Sequence, residues 1–519
     1  MLNYWWVTRP KRKLSSVPEV LASITEVSLN QVWNGQRGAH LSVEEALEEA
    51  GLKRPGDRRD HTGGGGRTYY AWMASLGLVF THSDGQTKLT LAGEAILEGH
   101  SPVAVITNQV LKYQFPSAFS ISRGVEVAER FRIRPFRFLL NLMLEPRINE
   151  YITQEEIAKI VITEAEDDTS TCYEQIVSRI QQFRNEGDSC LCADFAMRYK
   201  SSKGEPNFSQ PYAHLTDIAN TIINWLEYTQ FIGRNGQSIS ILPEKKDDVR
   251  LILEQEFPFI DRPEQADYYQ RKYGCPPWRS KDTRNISMTS TITAQVIAVM
   301  KIQREFFAIS IKEPIAKINS VVVDKIVNAT GILPGLVEET LQRLYPHGAI
   351  NTFMTEYFEM AFKGTEEAIA FEKATVEILK SVFGFKAYHV GSIGLTPDSL
   401  VLCDDERYAG IFDNKAYSKY SITNDHHNRM CRNYIPNYGT LASEASRYPL
   451  AFYSYLSGGF ASNINTQLNS ITNETSIAGS AITVSTFIKM IGNHQTTEYS
   501  HRRFREIFSI NRQILLHDI

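Results

Sequence analysis

Residues 371–415 combine an acidic helix with two short apolar strands, and this combination constrains the fold of the chain more than any other feature. Apolar side chains recur at helical spacing over residues 371–383, and Gly384 is placed to end the helix. A Pro-Asp pair at residues 397–398 opens one apolar strand, and residues 408–415 form the answering strand after a charged turn. The order predicts an α/β domain in which a mixed sheet is flanked by helices.

Three side chains on these strands suit the hydrolysis of a phosphodiester. Asp413 and Lys415 lie two residues apart on one strand and therefore face the same side of the sheet. Asp398 begins the partner strand of the hairpin and can approach them. Carboxylate oxygens suit Mg²⁺, and a nearby lysine can position or deprotonate a metal-bound water. A surface hairpin with ordinary solvated charges has the same pattern, so the structural context decides between the two interpretations.

The same residues resemble the FokI cleavage domain. The matching stretches are residues 371–391, Pro397-Asp398, residues 413–418, residues 451–454 and residues 467–472. The resemblance implies a PD-(D/E)xK nuclease in which Asp398, Asp413 and Glu372 bind Mg²⁺. It also implies that Lys415 is the catalytic lysine. Glu377 is the weaker helix candidate, because it lies about 140° around the helix from Glu372.

The N-terminal half contains two patterns of a helix followed by a hairpin. In residues 67–97 a helical stretch ends near Gly77, and two short strands flank a turn at residues 83–85. In residues 218–242 a helical stretch precedes two strands joined at Asn235-Gly236, which is a strong hairpin signal. Both patterns predict winged-helix-like α+β modules, which commonly place a helix in the DNA major groove. Any helix packed on a hairpin would give the same pattern.

Basic side chains near these modules are the candidates for contacts to DNA. They are Arg58, Arg59, Arg67, Lys88 and Arg234. We interpret the glycine run at residues 63–66 as a flexible basic loop that opens into a helix. Residues 131–137 interleave arginines with aromatics, which is typical either of phosphate contacts or of an apolar helix entry with a solvated basic face.

The N-terminal half is similar to the AlwI-type restriction endonucleases, which include site-specific nicking relatives. The matching stretches are residues 73–80, 88–93, 113–117, 182–186 and 217–220. Together the two resemblances imply a type IIS restriction endonuclease that cuts double-stranded DNA at a fixed offset from a short asymmetric site. The predicted domains are two winged-helix-like recognition subdomains (1–100 and 101–285), a helical linker (286–360) and a FokI-like nuclease domain (361–519).

Composition is compatible with several domains and indicates a compartment. The 519 residues are 42% hydrophobic and 22% charged, which is ordinary for a globular protein. No apolar run approaches ~20 residues, so no membrane span is expected. The six cysteines include no CxxC pair and predict reduced thiols in a cytoplasm, which the resemblance to restriction endonucleases implies is prokaryotic; Cys190 and Cys192 lack a second ligand pair for zinc. The net charge of −4 does not exclude DNA binding, which depends on where Lys and Arg lie.

The resemblance also implies partners. A transient homodimer through the cleavage domain would cut both strands, with residues 424–432 in the corresponding helix, and a cognate DNA methyltransferase would protect the host. Asp425 and Arg429 have i,i+4 spacing in this segment, which is equally typical of a solvated helix face. The adjacent His426 and His427 are interpreted as exposed helix residues, with a metal site or a catalytic base as the alternatives.

Other functions share these features. A monomeric nicking enzyme, a repair nuclease and a transposition nuclease would have the same catalytic residues. A DNA-recognising subunit of a heterodimeric restriction enzyme, or a sequence reader with an inactive core, would have the same N-terminal modules. A ligand-sensing winged-helix regulator would leave residues 366–518 unexplained.

Overall fold

The computed structural model describes residues 2–55, 61–117, 127–201, 212–286, 293–391 and 394–519, apart from the side chain of Glu366. The chain forms two compact units. The first comprises Met1–Ala308 and Asn319–Pro346, and the second comprises Ile309–Ile318 and His347–Ile519. The predicted division into four domains is finer than these two units and stays a prediction.

The first unit is predominantly helical. Its elements, in chain order, are α1 (Val17–Ser28), α2 (Arg37–Glu49), α3 (Gly64–Ser75), β1 (Val79–Thr81), β2 (Thr87–Leu89), α4 (Leu91–Leu97), α5 (Pro102–Lys112), α6 (Pro135–Leu142), β3 (Ile152–Thr153), α7 (Gln154–Glu156), α8 (Ile162–Glu164), α9 (Ser170–Glu186), α10 (Phe195–Arg198), α11 (Ala213–Tyr228), β4 (Ile232–Asn235), β5 (Ser238–Ile241), α12 (Lys246–Glu254), α13 (Ala266–Tyr273), α14 (Ala294–Ser310), α15 (Ser320–Thr330) and α16 (Pro334–Leu344). Helix α14 ends inside the segment that belongs to the second unit. The last three helices agree with the helical character predicted for residues 286–360.

The first pattern of a helix and a hairpin is confirmed in its elements. Helix α3 is followed by the antiparallel strands β1 and β2, in which Val79 pairs with Leu89. The expectation of a flexible glycine loop is wrong, because Gly64–Gly66 form the first turn of α3. A Cβ on Gly66 would lie 2.2 Å from the carbonyl oxygen of His40 in α2, so the close approach of the two helices requires glycine.

The second pattern is also confirmed. Helix α11 leads into β4 and β5, which pair antiparallel around a turn with Gly236 at φ 60°. A third strand, β3, pairs with β5 so that Ile152 is opposite Ile239. The sequence pattern did not predict β3, because a two-residue strand has no periodicity to detect.

Residues 131–137 have a structural role in the first unit. The guanidinium of Arg134 donates to Asp168 Oδ2 at 2.6 Å, and Arg137 donates to the carbonyl oxygen of Ile252 at 2.8 Å. The aromatic residues of this segment are buried. The helix-entry interpretation is therefore the better one, although these two arginines are paired inside the protein and are not simply solvated.

The second unit is built on one sheet. Its elements are α17 (Ile350–Met360), α18 (Ala368–Ser381), β6 (Lys386–His389), β7 (Ser399–Cys403), β8 (Tyr408–Lys415), α19 (Asn424–Arg429), α20 (Ile435–Asn437), β9 (Leu450–Ser457), α21 (Ile464–Thr475), β10 (Ala478–Thr483), α22 (Val484–Thr496), α23 (His501–Phe508) and β11 (Arg512–Ile514). A π-helical turn, Met430–Tyr434, joins α19 to α20. The strand order is β11-β10-β9-β8-β7-β6, with antiparallel pairing from β6 to β8 and parallel pairing from β8 to β11. The predicted mixed sheet flanked by helices is confirmed.

Both faces of this sheet are covered by apolar side chains. Ile411 of β8 belongs to a buried cluster that includes Leu468 of α21. On the other face, the ring of Phe412 lies 5.7 Å from that of Phe452 and 5.2 Å from that of Phe508 in α23. Successive residues of β8 therefore serve opposite faces, and the strand is buried on both sides.

Two further expectations concern the chain as a whole. In the ranges that the structure describes, no helix is long and apolar enough to cross a membrane. All six cysteines have free thiols.

Candidate active site

The end of β8 carries the first two candidate residues. Strand β8 lies between β7 and β9, and Asp413 is only 2% exposed there. The ammonium nitrogen of Lys415 lies 2.7 Å from Asp413 Oδ2. Because alternate residues of a strand share one face, the two side chains meet as the spacing predicts.

Asp398 approaches the same ammonium from the neighbouring strand. It immediately precedes β7, which pairs antiparallel with β8. Its Oδ2 accepts the backbone N–H of Asn414 at 2.6 Å and lies 3.9 Å from Lys415 Nζ. Its backbone carbonyl oxygen accepts the N–H of Val390 at 2.9 Å. Asp398 is therefore held by both its main chain and its side chain.

Glu372 joins the group from helix α18. Its Oε2 is paired with His389 Nε2, at the end of β6, at 2.8 Å. A Cβ built on Gly391 would lie 3.2 Å from Glu372 Oε2 and 3.2 Å from Asp398 Oδ1. Two carboxylate oxygens therefore converge on a small space that Gly391 leaves open.

Buried hydrogen bonds on the other face of β8 hold the strand to the helices. Asn414 Nδ2 donates to Thr375 Oγ1 of α18 at 2.7 Å. The same hydroxyl lies 2.8 Å from the hydroxyl of Tyr357 in α17. Since α18 also carries Glu372, these bonds fix the position of Glu372 relative to Asp413.

Burial and repulsion between carboxylates dominate the electrostatics of the group. Burial raises the pKa of Asp398 well above its ordinary value, and the charges of Asp413 and Glu372 raise that pKa further. Burial lowers the pKa of Lys415, but the two neighbouring aspartates outweigh burial and leave the pKa above its ordinary value. Two aspartates therefore share one ammonium, with Glu372 and its partner His389 beside them, and the carboxylates favour an additional positive charge.

The donor atoms fit a divalent cation of the Mg²⁺ type. Asp398, Asp413 and Glu372 offer only carboxylate oxygens, which are the hard ligands that such ions prefer. The open space beside Gly391 leaves room next to two of these oxygens. A cation would also relieve the repulsion that raises the pKa of Asp398. These three residues can therefore hold the ion.

Sequence reasoning did not identify three residues at this site: His389, Gly391 and Tyr455. Gly391 ends the stretch that resembles the FokI cleavage domain, and its place just before the Pro-Asp pair could have identified it. Tyr455 of β9 is opposite Asp413, and its buried hydroxyl has no hydrogen-bond partner among the described residues. No local pattern predicts this pairing, because the register between parallel strands is set by the whole domain.

The lower-ranked candidates do not join the carboxylates, although His426 is near enough to interact electrostatically with Lys415 and Asp413. His426 and His427 are partly buried rather than exposed as expected. Glu377 is on the exposed side of α18 and pairs with Lys380 at 3.2 Å, as the helical spacing predicts. His426 Nδ1 lies 2.8 Å from the Tyr420 hydroxyl, and burial lowers the pKa of this histidine. His427 is paired with a glutamate of α21.

The candidates for DNA contacts that the structure describes have partners within the protein. They bond to the Thr62 carbonyl oxygen (Arg67, 2.7 Å), Asn30 Oδ1 (Lys88, 2.9 Å) and Glu227 Oε2 (Arg234, 3.1 Å). Lys88 is also buried. Arg58 and Arg59 lie outside the described residues.

A family model matches the C-terminal part of the chain. Residues 332–515 match the family model described as FokI, cleavage domain. This range contains Glu372, Asp398, Asp413 and Lys415, and it forms a FokI-like nuclease domain. The chain is therefore an enzyme, a site-specific deoxyribonuclease. Among curated protein sequences none matches the chain.

Solved structures of restriction endonucleases are similar to the chain at low scores. The structure of restriction endonuclease FokI is 15% identical, covers 99% of this chain and 100% of its own, and has a TM-score of 0.29. FokI bound to DNA is 14% identical, covers 99% of both chains and has a TM-score of 0.28. The BpuJ1 endonuclease binding domain, in complex with pyrene- and phenanthrene-modified DNA, is 13% identical, covers 58% of this chain and 96% of its own, and has a TM-score of 0.34.

Proposed function

We propose that the chain is a type IIS restriction endonuclease that hydrolyses double-stranded DNA with Mg²⁺ at a fixed offset from a short asymmetric site. The observation that carries the proposal is the position of Lys415, whose ammonium lies 2.7 Å from Asp413 Oδ2 and 3.9 Å from Asp398 Oδ2. A solvated hairpin would expose these groups, whereas Asp413 is buried at the centre of the sheet. A buried excess of carboxylates destabilises a fold unless it is compensated, which supports a role in binding a cation and a phosphate.

Each residue has a distinct part in the proposed reaction. Asp398, Asp413 and Glu372 would hold Mg²⁺, which would supply the positive charge that activates a water and offsets the charge of the phosphate. Lys415 donates a hydrogen bond to the attacking water and keeps it in line with the scissile phosphorus. The positive charge of Lys415 also stabilises the negative charge that develops on the phosphate oxygens in the transition state.

The proposal assigns sequence recognition to the first unit. The two modules of a helix and a hairpin support this assignment, and α11, which has exposed residues at Ala213 and Thr216, is a better candidate for the major groove than the largely buried α3. Arg67 and Arg234 would exchange their partners within the protein for phosphates or bases, whereas the burial of Lys88 makes it the weaker candidate. Arg58 and Arg59 stay candidates from the sequence alone. The resemblance to AlwI-type enzymes likewise stays a prediction.

Cleavage of both strands requires two catalytic sites or two successive cuts. We propose a transient homodimer through the cleavage domain, in a prokaryotic cytoplasm, with a cognate methyltransferase that protects host DNA at the same site. Asp425 and Arg429 form an ion pair of 2.8 Å within α19, so neither charge depends on a second chain. Because this ion pair does not require a dimer, a monomeric nicking enzyme is the second candidate function. A DNA-recognising subunit of a heterodimeric enzyme is the third.

A plasmid digest with sequenced ends tests the proposal. The enzyme is incubated with Mg²⁺, with EDTA, and as the Lys415→Ala variant; Glu377→Gln serves as the control for an exposed charge. We expect discrete ends at one offset from a short asymmetric sequence, lost with EDTA and in Lys415→Ala and retained in Glu377→Gln. Nicked circles alone would select the nicking enzyme. Cutting that survives Lys415→Ala would contradict the assignment of the site.

A further inference from the structure

A second cluster of potential metal ligands lies outside the candidate active site. His427 is on α19, Cys431 follows in the π-helical turn, and Glu474 is near the end of α21. One donor atom from each of these residues lies within 4.8 Å of the other two. Cys431 is buried, whereas Glu474 is exposed. Cys431 is therefore the ligand on the protein side of the cluster, and Glu474 lies on the side that faces solvent.

Two of the donor distances in this cluster are close to those of a zinc site. Cys431 Sγ lies 3.6 Å from His427 Nε2, and His427 Nε2 lies 3.0 Å from Glu474 Oε2. Zinc bonds of about 2.3 Å to sulfur and about 2.0 Å to nitrogen, at the tetrahedral angle, place sulfur and nitrogen about 3.6 Å apart. The same argument places nitrogen and a carboxylate oxygen about 3.3 Å apart. The exposed side chain of Glu474 can move to complete this geometry.

We propose that His427, Cys431 and Glu474 form a binding site for Zn²⁺ or a similar thiophilic divalent cation, with water as the fourth ligand on the exposed side. A thiolate and an imidazole favour zinc over magnesium, so the site differs in chemistry from the carboxylate group around Asp413. Binding releases the thiol proton of Cys431 to solvent, and the metal–sulfur bond replaces the sulfur–hydrogen bond.

The bound ion would join α19 to α21. The residues that lead into α19 are already connected to α21 through Gln467, which accepts the N–H of Ile422 at 3.0 Å and donates to its carbonyl oxygen at 2.8 Å. The metal would add a second connection further along both helices. Because α19 follows β8 in the chain, the ion would stabilise the segment that leaves the catalytic strand.

Cobalt substitution in the full-length protein tests this site. Co²⁺ bound to a thiolate gives a charge-transfer absorption band that a site made only of carboxylates does not give. We expect one thiolate-bound Co²⁺ per chain, displaced by Zn²⁺, and no band in Cys431→Ser. Glu474→Gln and His427→Gln should weaken binding by on the order of tenfold or more. Asp413→Asn should retain the band, because the candidate active site has no thiol.

The second control is Cys192→Ser, which removes an exposed cysteine of the first unit. Retention of the band in this variant supports the proposal, and its loss there would place the sulfur ligand elsewhere and overturn it. Absence of any band, or a band that survives Cys431→Ser, overturns it as well. Glu474 is exposed, so Glu474→Gln keeps the test decisive if Cys431→Ser fails to fold. None of these readouts measures DNA cleavage, so the outcome is independent of the proposed function.

Discussion

Charged side chains are used differently in the two units. In the first unit the arginines that look most functional in the sequence meet an opposite charge or a carbonyl oxygen, as Arg134 meets Asp168. In the second unit the buried Asp398 and Asp413 share the single ammonium of Lys415, beside Glu372, which pairs with His389. Balanced pairs stabilise a fold modestly, whereas a buried imbalance costs stability. A buried excess of one charge therefore indicates a functional site better than the number of charged residues in a stretch of sequence does.

The largest effect is expected at Asp413. Asp413→Asn keeps the shape of the side chain but removes a cation ligand and the partner of Lys415, so the cleavage rate should fall by roughly 10³-fold or more. The thermal unfolding midpoint should not fall, because the repulsion with Asp398 is also removed. Single-turnover cleavage and thermal unfolding measure the two quantities. If the variant loses activity only together with a large drop in its unfolding midpoint, these residues would have a structural role and no catalytic one.

The next largest effect is expected at Arg134, where we expect a loss of stability and no change in DNA binding. Arg134→Ala removes the bond to Asp168 and the bond to the carbonyl oxygen of Phe257, which should lower the free energy of unfolding by about 2 kcal/mol. The salt dependence of DNA binding should not change. Arg132→Ala is the matched control, since this arginine is exposed and contacts the ring of Phe259. A shallower salt dependence with unchanged stability would instead make Arg134 a phosphate contact.

Gly391 offers a finer test of how closely the carboxylates must converge. A Cβ at this position would lie 3.2 Å from Asp398 Oδ1 and Glu372 Oε2, so Gly391→Ala should push these oxygens apart by a few tenths of an ångström. We expect the cleavage rate to fall about tenfold, and the Mg²⁺ concentration for half-maximal rate to rise. Gly492→Ala is the control, because nothing lies within 4 Å of a Cβ there. An unchanged Mg²⁺ dependence would remove Glu372 from the ion-binding group.

The candidate site was predictable from sequence to the extent that it depends on local geometry. Asp413 and Lys415 share a face because a strand has a period of two, and Asp398 lies nearby because a hairpin joins its two strands. Tyr455 could not be predicted, since it lies opposite Asp413 across a parallel pair of strands that are distant in sequence. The sequence could not decide between the two interpretations of the arginines in residues 131–137, for a related reason. Their partners, such as Asp168, come from later segments of the chain.

The smallest effect is expected at a balanced pair of the first unit, Glu145 with Arg147. Hydrogen bonds from Arg147 lower the pKa of Glu145 to about 2, below the value of about 4.3 for an unfolded glutamate. The stabilisation is therefore complete above the unfolded pKa and is lost as the pH falls toward 2. Because Arg147 is half exposed, solvent screening should limit the loss in Glu145→Gln to about 1 kcal/mol or less at pH 7.

Urea unfolding at steps from pH 7 down to acid measures this contribution. The difference between the wild-type protein and Glu145→Gln should be constant at neutral pH and shrink below the unfolded pKa, while cleavage at pH 7 is unchanged. Glu174→Gln, which removes the more exposed partner of the same arginine, should have a smaller effect. If this difference in the free energy of unfolding grew as the pH fell, the predicted dependence of stability on the ionisation of Glu145 would have the wrong sign. A loss of cleavage would mean that a balanced pair can serve function too, which would weaken the contrast between the two units.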